Sequence, residues 1–340
     1  MRILFILICI PLISFGQQTL NESIIHDNLQ RDYIIHIPSS YNVNTPIPLV
    51  FCFHGYGSNA STIMSYTNFN YISDTAGFIV VYPLGTLLQG TTHWNVGGWT
   101  TGSITDDVGF SISLLDSILN EYNIDDTRVY STGMSNGGYM SFLLACQMSD
   151  KIAAIASVTG SMTPQTYNAC NPQHPTPILQ IHGTNDQVVP YLGDPTWTES
   201  IDNLLQYWVA YNNCDLALIE ITAIADINQF DGSTVEYIVY NGCDNFVTTE
   251  HFKIYGGDHD WPGAWGNMDI DASAEVWKFF SRYDINGFIG TNTFIEDKTI
   301  KDKHLVKITD MLGRKIKGKK NELLFYIYDD GTVEKKIVIK

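Results

Sequence analysis

Positive charge is scarce in most of this chain. Through residue 290 there are 7 Lys and Arg against 28 Asp and Glu, whereas residues 291–340 hold 12 against 8. Phosphate binding needs clustered Lys and Arg, so the acidic region is excluded as a nucleic-acid-binding surface. Long apolar runs are lacking as well. The most apolar stretch, MRILFILICIPLISFG, is shorter than the roughly 20 residues a spanning helix requires. The six cysteines, at 9, 52, 146, 170, 214 and 243, never stand in the CxxC spacing of a zinc site. Internal repeats and low-complexity tracts are absent too, which excludes solenoid architectures.

What is present is enough to fold. The chain has 340 residues, 44% of them hydrophobic and 12% aromatic, which supports one large core plus a small second unit. Arg2, an apolar run and the small residues Ser14 and Gly16 predict a cleaved signal peptide over 1–16. Export permits disulfides. Cys52 lies in the apolar run Leu49 to Phe53, where a buried free thiol fits. The expected bridges are Cys146 to Cys170 and Cys214 to Cys243, one of the three pairings that four cysteines allow, with Cys52 unpaired.

Short apolar runs recur at Tyr33–Ile37, Leu49–Phe53, Phe78–Tyr82, Val129–Tyr130, Ala153–Val158 and Ile178–Ile181, bounded by Gly, Pro, Asn or Ser. Between them, 108–122, 139–148, 201–211 and 272–283 carry helical spacing. This alternation predicts an α/β class with a mostly parallel central sheet covered on both faces, spanning 17–285. In such sheets ligands bind beyond the carboxyl ends of the strands. The charge shift and the Gly/Asn texture predict a linker over 286–300. The remainder, 301–340, alternates apolar and polar residues around Asp330-Gly331, which predicts a small antiparallel β unit.

The stretch STGMSNGGYM places Ser135 between Gly133 and Gly137, with Gly138 following. That is the spacing of a nucleophile elbow, where small neighbours let a strand turn sharply into a helix; the alternative is a glycine-rich turn with a capping serine. A serine hydroxyl is a weak nucleophile, so it requires an imidazole to take its proton and an acid to orient that imidazole. Asp186, in IHGTNDQVVP, follows a strand and suits the acid, an Asx-turn aspartate being the alternative. His259, in GGDHDWPG, sits on a glycine-rich loop and suits the base. Asp258 and Asp260 beside it lack a second His or Cys at ligand spacing, so no metal is assigned. HGYGSN at His54 to Asn59 follows an early buried strand. It would supply one oxyanion donor from the backbone of Tyr56, the other coming from the backbone of Asn136. His54 itself reads as a loop-shaping hydrogen bonder. This chemistry needs no cofactor.

In combination HGYGSN, WN at Trp94-Asn95, DDVGF at Asp106 to Phe110, GMSNGGYM, IHGTNDQVVPY and GGDHDWPG resemble one group across most of residues 26–283. The group is the secreted α/β-hydrolase esterases that join feruloyl and acetylxylan esterases of carbohydrate esterase family 1 with bacterial polyhydroxybutyrate depolymerases. The resemblance implies an acyl-enzyme serine esterase with Ser135 as nucleophile, Asp186 as acid and His259 as base. It also implies an acyl or sugar pocket lined by Trp94, Trp99 and Trp261, although core packing suits each of these rings equally. Asp106 and Asp107 read as caps of the helix beginning near Val108. The Ser-Asn-Gly-Gly form leans toward esters of plant cell walls, feruloyl or acetyl on xylan, over polyesters. A non-catalytic surface binding protein on the same fold stays open. The tail, KITDMLGR followed by YDDG and a basic end, is similar to type IX secretion sorting domains. That resemblance implies type IX machinery as a partner and a secreted or cell-surface location.

Overall fold

The computed structural model describes residues 17–290, 305–309, 314–315, 323–328 and 333–337. The expected signal peptide lies outside the described residues. The chain divides into two compact units, 1–290 and 291–340.

The first unit opens with a hairpin of β1 (Gln18–His26) and β2 (Leu29–Ile37). Asp27 and Asn28, at φ 49° and 61°, form its turn, and two successive left-handed residues match the twist of paired strands. Next come β3 (Ile47–Phe53), α1 (Ala60–Thr67), α2 (Phe69–Ala76), β4 (Ile79–Pro83), a small hairpin of β5 (Thr86–Leu88) and β6 (Thr91–His93), and α3 (Asp107–Glu121). The alternation continues through β7 (Ile124–Met134), α4 (Asn136–Gln147), β8 (Ala154–Val158), α5 (Pro164–Ala169), β9 (Ile178–Gly183) and α6 (Ile201–Tyr211). It closes with β10 (Ile219–Ala223), β11 (Thr234–Tyr240), β12 (Thr249–Tyr255), α7 (Ala272–Phe280), and a two-residue hairpin of β13 (Tyr283–Asp284) and β14 (Gly287–Phe288).

Ten of these strands form one sheet, in the order β1-β2-β4-β3-β7-β8-β9-β12-β11-β10. From β4 to β12 all neighbours are parallel, and the two flanks are antiparallel. Successive residues of a strand point to opposite faces, and β3 shows the consequence. Leu49, Phe51 and Phe53 join a core with Phe110, Leu114 and Ile118 of α3, residues of α4, and Leu204 and Trp208 of α6. Val50 and Cys52 join the opposite core with Ile63 of α1, Phe69 of α2, and Val276, Phe279 and Phe280 of α7. Both faces are therefore covered, and this is why β3 is apolar at almost every position rather than alternating.

Among the described residues the disulfides are Cys146–Cys170 and Cys214–Cys243, with Cys52 free and buried. Asp106 caps α3 by accepting from the Gly109 N–H at 2.8 Å. Asp107 departs from the expectation of a second cap. It is buried, pairs with the Arg31 guanidinium of β2 at 2.6 Å, and accepts from the Asn95 N–H at 2.7 Å. Burial explains the difference: a carboxylate removed from water requires a counterion and donors. Part of the expected linker is structured, since the β13–β14 hairpin belongs to the first unit. The second unit contains a three-stranded antiparallel sheet, β15 (Leu305–Thr309), β16 (Leu323–Tyr328) and β17 (Val333–Ile337).

Candidate active site

β3, β7, β9 and β12 run parallel, so the loops after them gather at one edge of the sheet. Ser135 stands between β7 and α4 at φ 55° and ψ −120°, a conformation that costs a non-glycine residue free energy. Its neighbours make the turn possible by being small. A Cβ on Gly133 would come within 2.5 Å of the Phe53 carbonyl oxygen, and one on Gly137 within 2.0 Å. The Ser135 N–H donates to the Val158 carbonyl at 2.9 Å, which ties the turn to β8. Asn136 is the first residue of α4, so its own N–H has no carbonyl one turn back within the helix.

The loop after β3 lies against this turn, with the Gly55 Cβ position 3.5 Å from the Ser135 Cβ. His54 is buried and shapes that loop: its Nδ1 donates to the Gly55 carbonyl at 2.8 Å and its Nε2 accepts from the Gly85 N–H at 3.0 Å. Burial lowers its pKa to about 4 against the opposing effect of the Gly55 bond, so the ring is neutral at pH 7. Tyr56 follows and is 47% exposed.

Asp186 and His259 are brought together. The loops after β9 and β12 are laced by the Asn185 N–H to the Gly257 carbonyl (2.9 Å) and the Gly256 N–H to Thr184 Oγ1 (3.0 Å). Gly183 permits the approach, since a Cβ there would meet the Gly257 carbonyl oxygen at 2.2 Å. His259 Nδ1 donates to Asp186 Oδ2 at 2.7 Å. Asp186 Oδ1 accepts from the N–H groups of Val188 and Val189, each at 2.8 Å. Burial by itself would raise the Asp186 pKa. The bonds from His182 and His259 outweigh it and hold the carboxyl well below the usual carboxylate range. Asp258 accepts from the His259 N–H at 2.9 Å and from the Gln187 N–H at 3.3 Å, a local role in joining the two loops.

The three tryptophans separate. Trp94 is fully buried, with Nε1 donating to the His54 carbonyl at 2.9 Å. Trp261 is also buried and donates to Ser273 Oγ at 3.0 Å. Both are packing residues rather than pocket walls. Trp99 alone keeps exposed surface, and its ring stands edge-on to Tyr56, Tyr139 and Trp197 at centroid distances of 5.7, 5.8 and 6.4 Å. Two side-chain roles are not visible in the sequence. The Asn136 side chain accepts from the Trp94 N–H at 2.7 Å and donates to the Trp94 carbonyl at 3.1 Å, locking the turn to that segment. His182 contacts Asp186 from beneath at 3.3 Å. A cavity of about 500 Å³ opens elsewhere, beside Glu22, Asp32, Tyr33, Asn59 and Leu84, and includes none of Ser135, Asp186 or His259.

Residues 31–173 match the family described as esterase PHB depolymerase. The chain is 28% identical over 270 residues to a bifunctional acetylxylan esterase/xylanase of Neocallimastix patriciarum, a match covering 79% of this chain and 36% of that longer protein. It is 28% identical over 262 residues to feruloyl esterase D of Neurospora crassa, covering 75% of this chain and 82% of the relative. Among solved structures, an acetyl xylan esterase from Aspergillus awamori superposes with a TM-score of 0.54 at 14% identity, over 77% of this chain and 99% of that one, which speaks to the fold. The fold is of the α/β-hydrolase type, and by its relatives the chain is a carboxylic ester hydrolase.

Proposed function

We propose that the protein is a serine esterase working through an acyl-enzyme. The observation that carries this reading is a strained serine at one strand end and an Asp186–His259 pair, 2.7 Å apart, at nearby strand ends of the same edge. Ser135 Oγ attacks the ester carbonyl carbon while His259 Nε2 takes its proton, and Asp186 holds Nδ1–H so that Nε2 presents its lone pair. The carbonyl oxygen, now negative, takes the N–H groups of Tyr56 and Asn136. His259 returns the proton to the departing alcohol. Water then attacks the acyl-enzyme by the same route, releasing the acid and restoring Ser135.

The substrate class is an ester borne on plant cell-wall polysaccharide, feruloyl or acetyl on xylan. The names of the relatives support it, and so does the half-exposed aromatic group of Tyr56 and Trp99 beside the serine turn. The family description also names a polyester, polyhydroxybutyrate. Two disulfides support an extracellular location, and among the described residues no helix is long and apolar enough to cross a membrane. The second unit is proposed as a sorting tail for type IX export.

Ser135→Ala should lower hydrolysis of p-nitrophenyl acetate by at least about a thousandfold while circular dichroism stays unchanged. A fluorophosphonate should add one adduct, at Ser135, by peptide mass spectrometry. Wild-type rates in the variant, or labelling elsewhere, would sink the assignment. Rates on feruloylated sugars, acetylated xylan and polyhydroxybutyrate then rank the substrates, and carbohydrate binding without turnover would make the protein a binder.

A further inference from the structure

Beneath Asp186 lies a buried polar chain that takes no part in the esterase reaction. Gln180 and His182 of β9 are both fully buried. Gln180 Nε2 sits 2.9 Å from the Gly160 carbonyl oxygen and 2.9 Å from His182 Nδ1. His182 Nε2 sits 2.9 Å from the Val189 carbonyl oxygen and 3.3 Å from Asp186 Oδ2.

The protons in this chain can be placed from donor and acceptor types alone. A backbone carbonyl only accepts, so the Gln180 atom facing Gly160 must be the NH₂. Turning the amide over would set two acceptors at 2.9 Å. The second hydrogen of that NH₂ then points at His182 Nδ1, which must present a lone pair. The Val189 carbonyl reaches the same conclusion from the other end, since the ring nitrogen facing it must carry a hydrogen. A doubly protonated ring would oppose Nδ1–H to the Gln180 donor. His182 is therefore a neutral imidazole with its proton on Nε2, directed at the Val189 carbonyl and carried on the nitrogen 3.3 Å from Asp186 Oδ2.

We propose that His182 is a positioning residue for the esterase, a tautomer-locked imidazole that holds the Asp186 carboxylate in line with His259. The role rests on the reading of Ser135, Asp186 and His259 as the reacting set. It completes the fixing of Asp186. Oδ1 is held by the Val188 and Val189 N–H groups, and Oδ2, the oxygen that receives His259, is held from the far side by His182. Oδ2 then cannot rotate away from His259 without leaving the N–H edge of His182, and the Asp186 side chain itself is buried. Gln180 serves by fixing which nitrogen of His182 carries the proton. Its Oε1 is buried with no hydrogen-bond partner, a cost that the opposite amide orientation would not remove.

The test uses full-length protein labelled with ¹⁵N-histidine. At pH 7 the long-range proton–nitrogen correlation of His182, assigned by its loss in His182→Gln, should show Nε2 protonated and Nδ1 bare. Nδ1 protonation, or protonation of both nitrogens, would overturn the proposal. In kinetics on p-nitrophenyl acetate, His182→Leu should lower kcat by about tenfold to a hundredfold with KM within about twofold. His182→Gln keeps an N–H donor and should restore most of the loss. Wild-type kcat in a folded His182→Leu protein would also overturn the role. If that variant does not fold, the wild-type tautomer and the His182→Gln rate decide. An active Ser135→Ala enzyme would instead overturn the underlying reaction and leave the tautomer assignment standing, so the two failures are distinguishable.

Discussion

At the scale of single residues, buried histidines link the site to pH. His54 is fully buried beside the serine turn, and its pKa is lowered to about 4 by that burial. In the unfolded chain the same imidazole takes up a proton near pH 6.5. Between those values only the unfolded state binds the proton, so stability is lost as pH falls from about 6.5 to about 4. The loss attributable to this one group is on the order of 3 kcal/mol, from 1.36 kcal/mol per pKa unit. His54→Asn keeps a donor for the Gly55 carbonyl but does not titrate there. Urea unfolding at pH 7 and pH 4 should thus show wild type losing about 3 kcal/mol more than the variant. Equal losses would mean His54 is not held neutral by the fold. Asp186 acts in a lower window. Its depressed pKa contributes stability above the unfolded value of about 3.9, and that contribution disappears only as pH falls through the folded value.

Between elements, the site depends on how closely backbones approach. The first turn of α4 stands over the end of β3 with no room for a side chain at Gly137, where a Cβ would lie 2.0 Å from the Phe53 oxygen and 2.9 Å from the His54 oxygen. Both partners are backbone, so neither can swing aside. Gly137→Ala should push α4 off β3, moving the Asn136 N–H and the Ser135 turn together. The expected result is a fall in kcat of about a hundredfold or more, since small displacements of reacting groups carry that cost. A melting temperature lowered by several degrees should accompany it. Wild-type kinetics in the alanine variant would show that the close approach is not required. A second inter-element device, the buried Arg31–Asp107 pair, joins β2 to α3 and, through Asn95, to the segment that Asn136 grips. Arg31 also lies 3.8 Å over the Phe110 ring, which shields the pair from water.

For the whole molecule, charge and compactness divide the chain at nearly the same place. The acidic first unit ends at Gly290, and the basic remainder contains its own three-stranded sheet. Every residue assigned to the reaction lies in the first unit. A chain ending at Gly290 should therefore hydrolyse p-nitrophenyl acetate at the full-length rate once purified, yet stay inside a cell that exports by the type IX route. Loss of activity in the purified truncation would mean the second unit helps to build the site, and normal export would remove the sorting role.

The class of fold is legible in the amino-acid pattern, because buried parallel strands must be apolar on both faces and the covering helices must carry a 3.6-residue stripe. β3, β8 and β9, with α6 and α7, follow directly from that pattern. It also exposed the serine turn, since glycine is the residue a chain uses where no Cβ fits, and it pointed to the loops holding Asp186 and His259. The antiparallel flanks, notably β10 and β11, were not legible: β10 is exposed along its whole length and carries no burial signal. That Trp94 and Trp261 are buried while Trp99 is not emerges only on folding, because burial depends on what packs over a ring rather than on the ring. The same reason kept Asp107's counterion, the Asn136 clamp and His182 out of reach. Arg31 and Asp107 are 76 residues apart, and Asn136 and Trp94 are 42 apart, so no local spacing predicts that they meet. His182 is only four positions from Asp186, yet its proton is placed by the Val189 carbonyl and, through Gln180, by the Gly160 carbonyl, loop groups brought to it only by the folded chain.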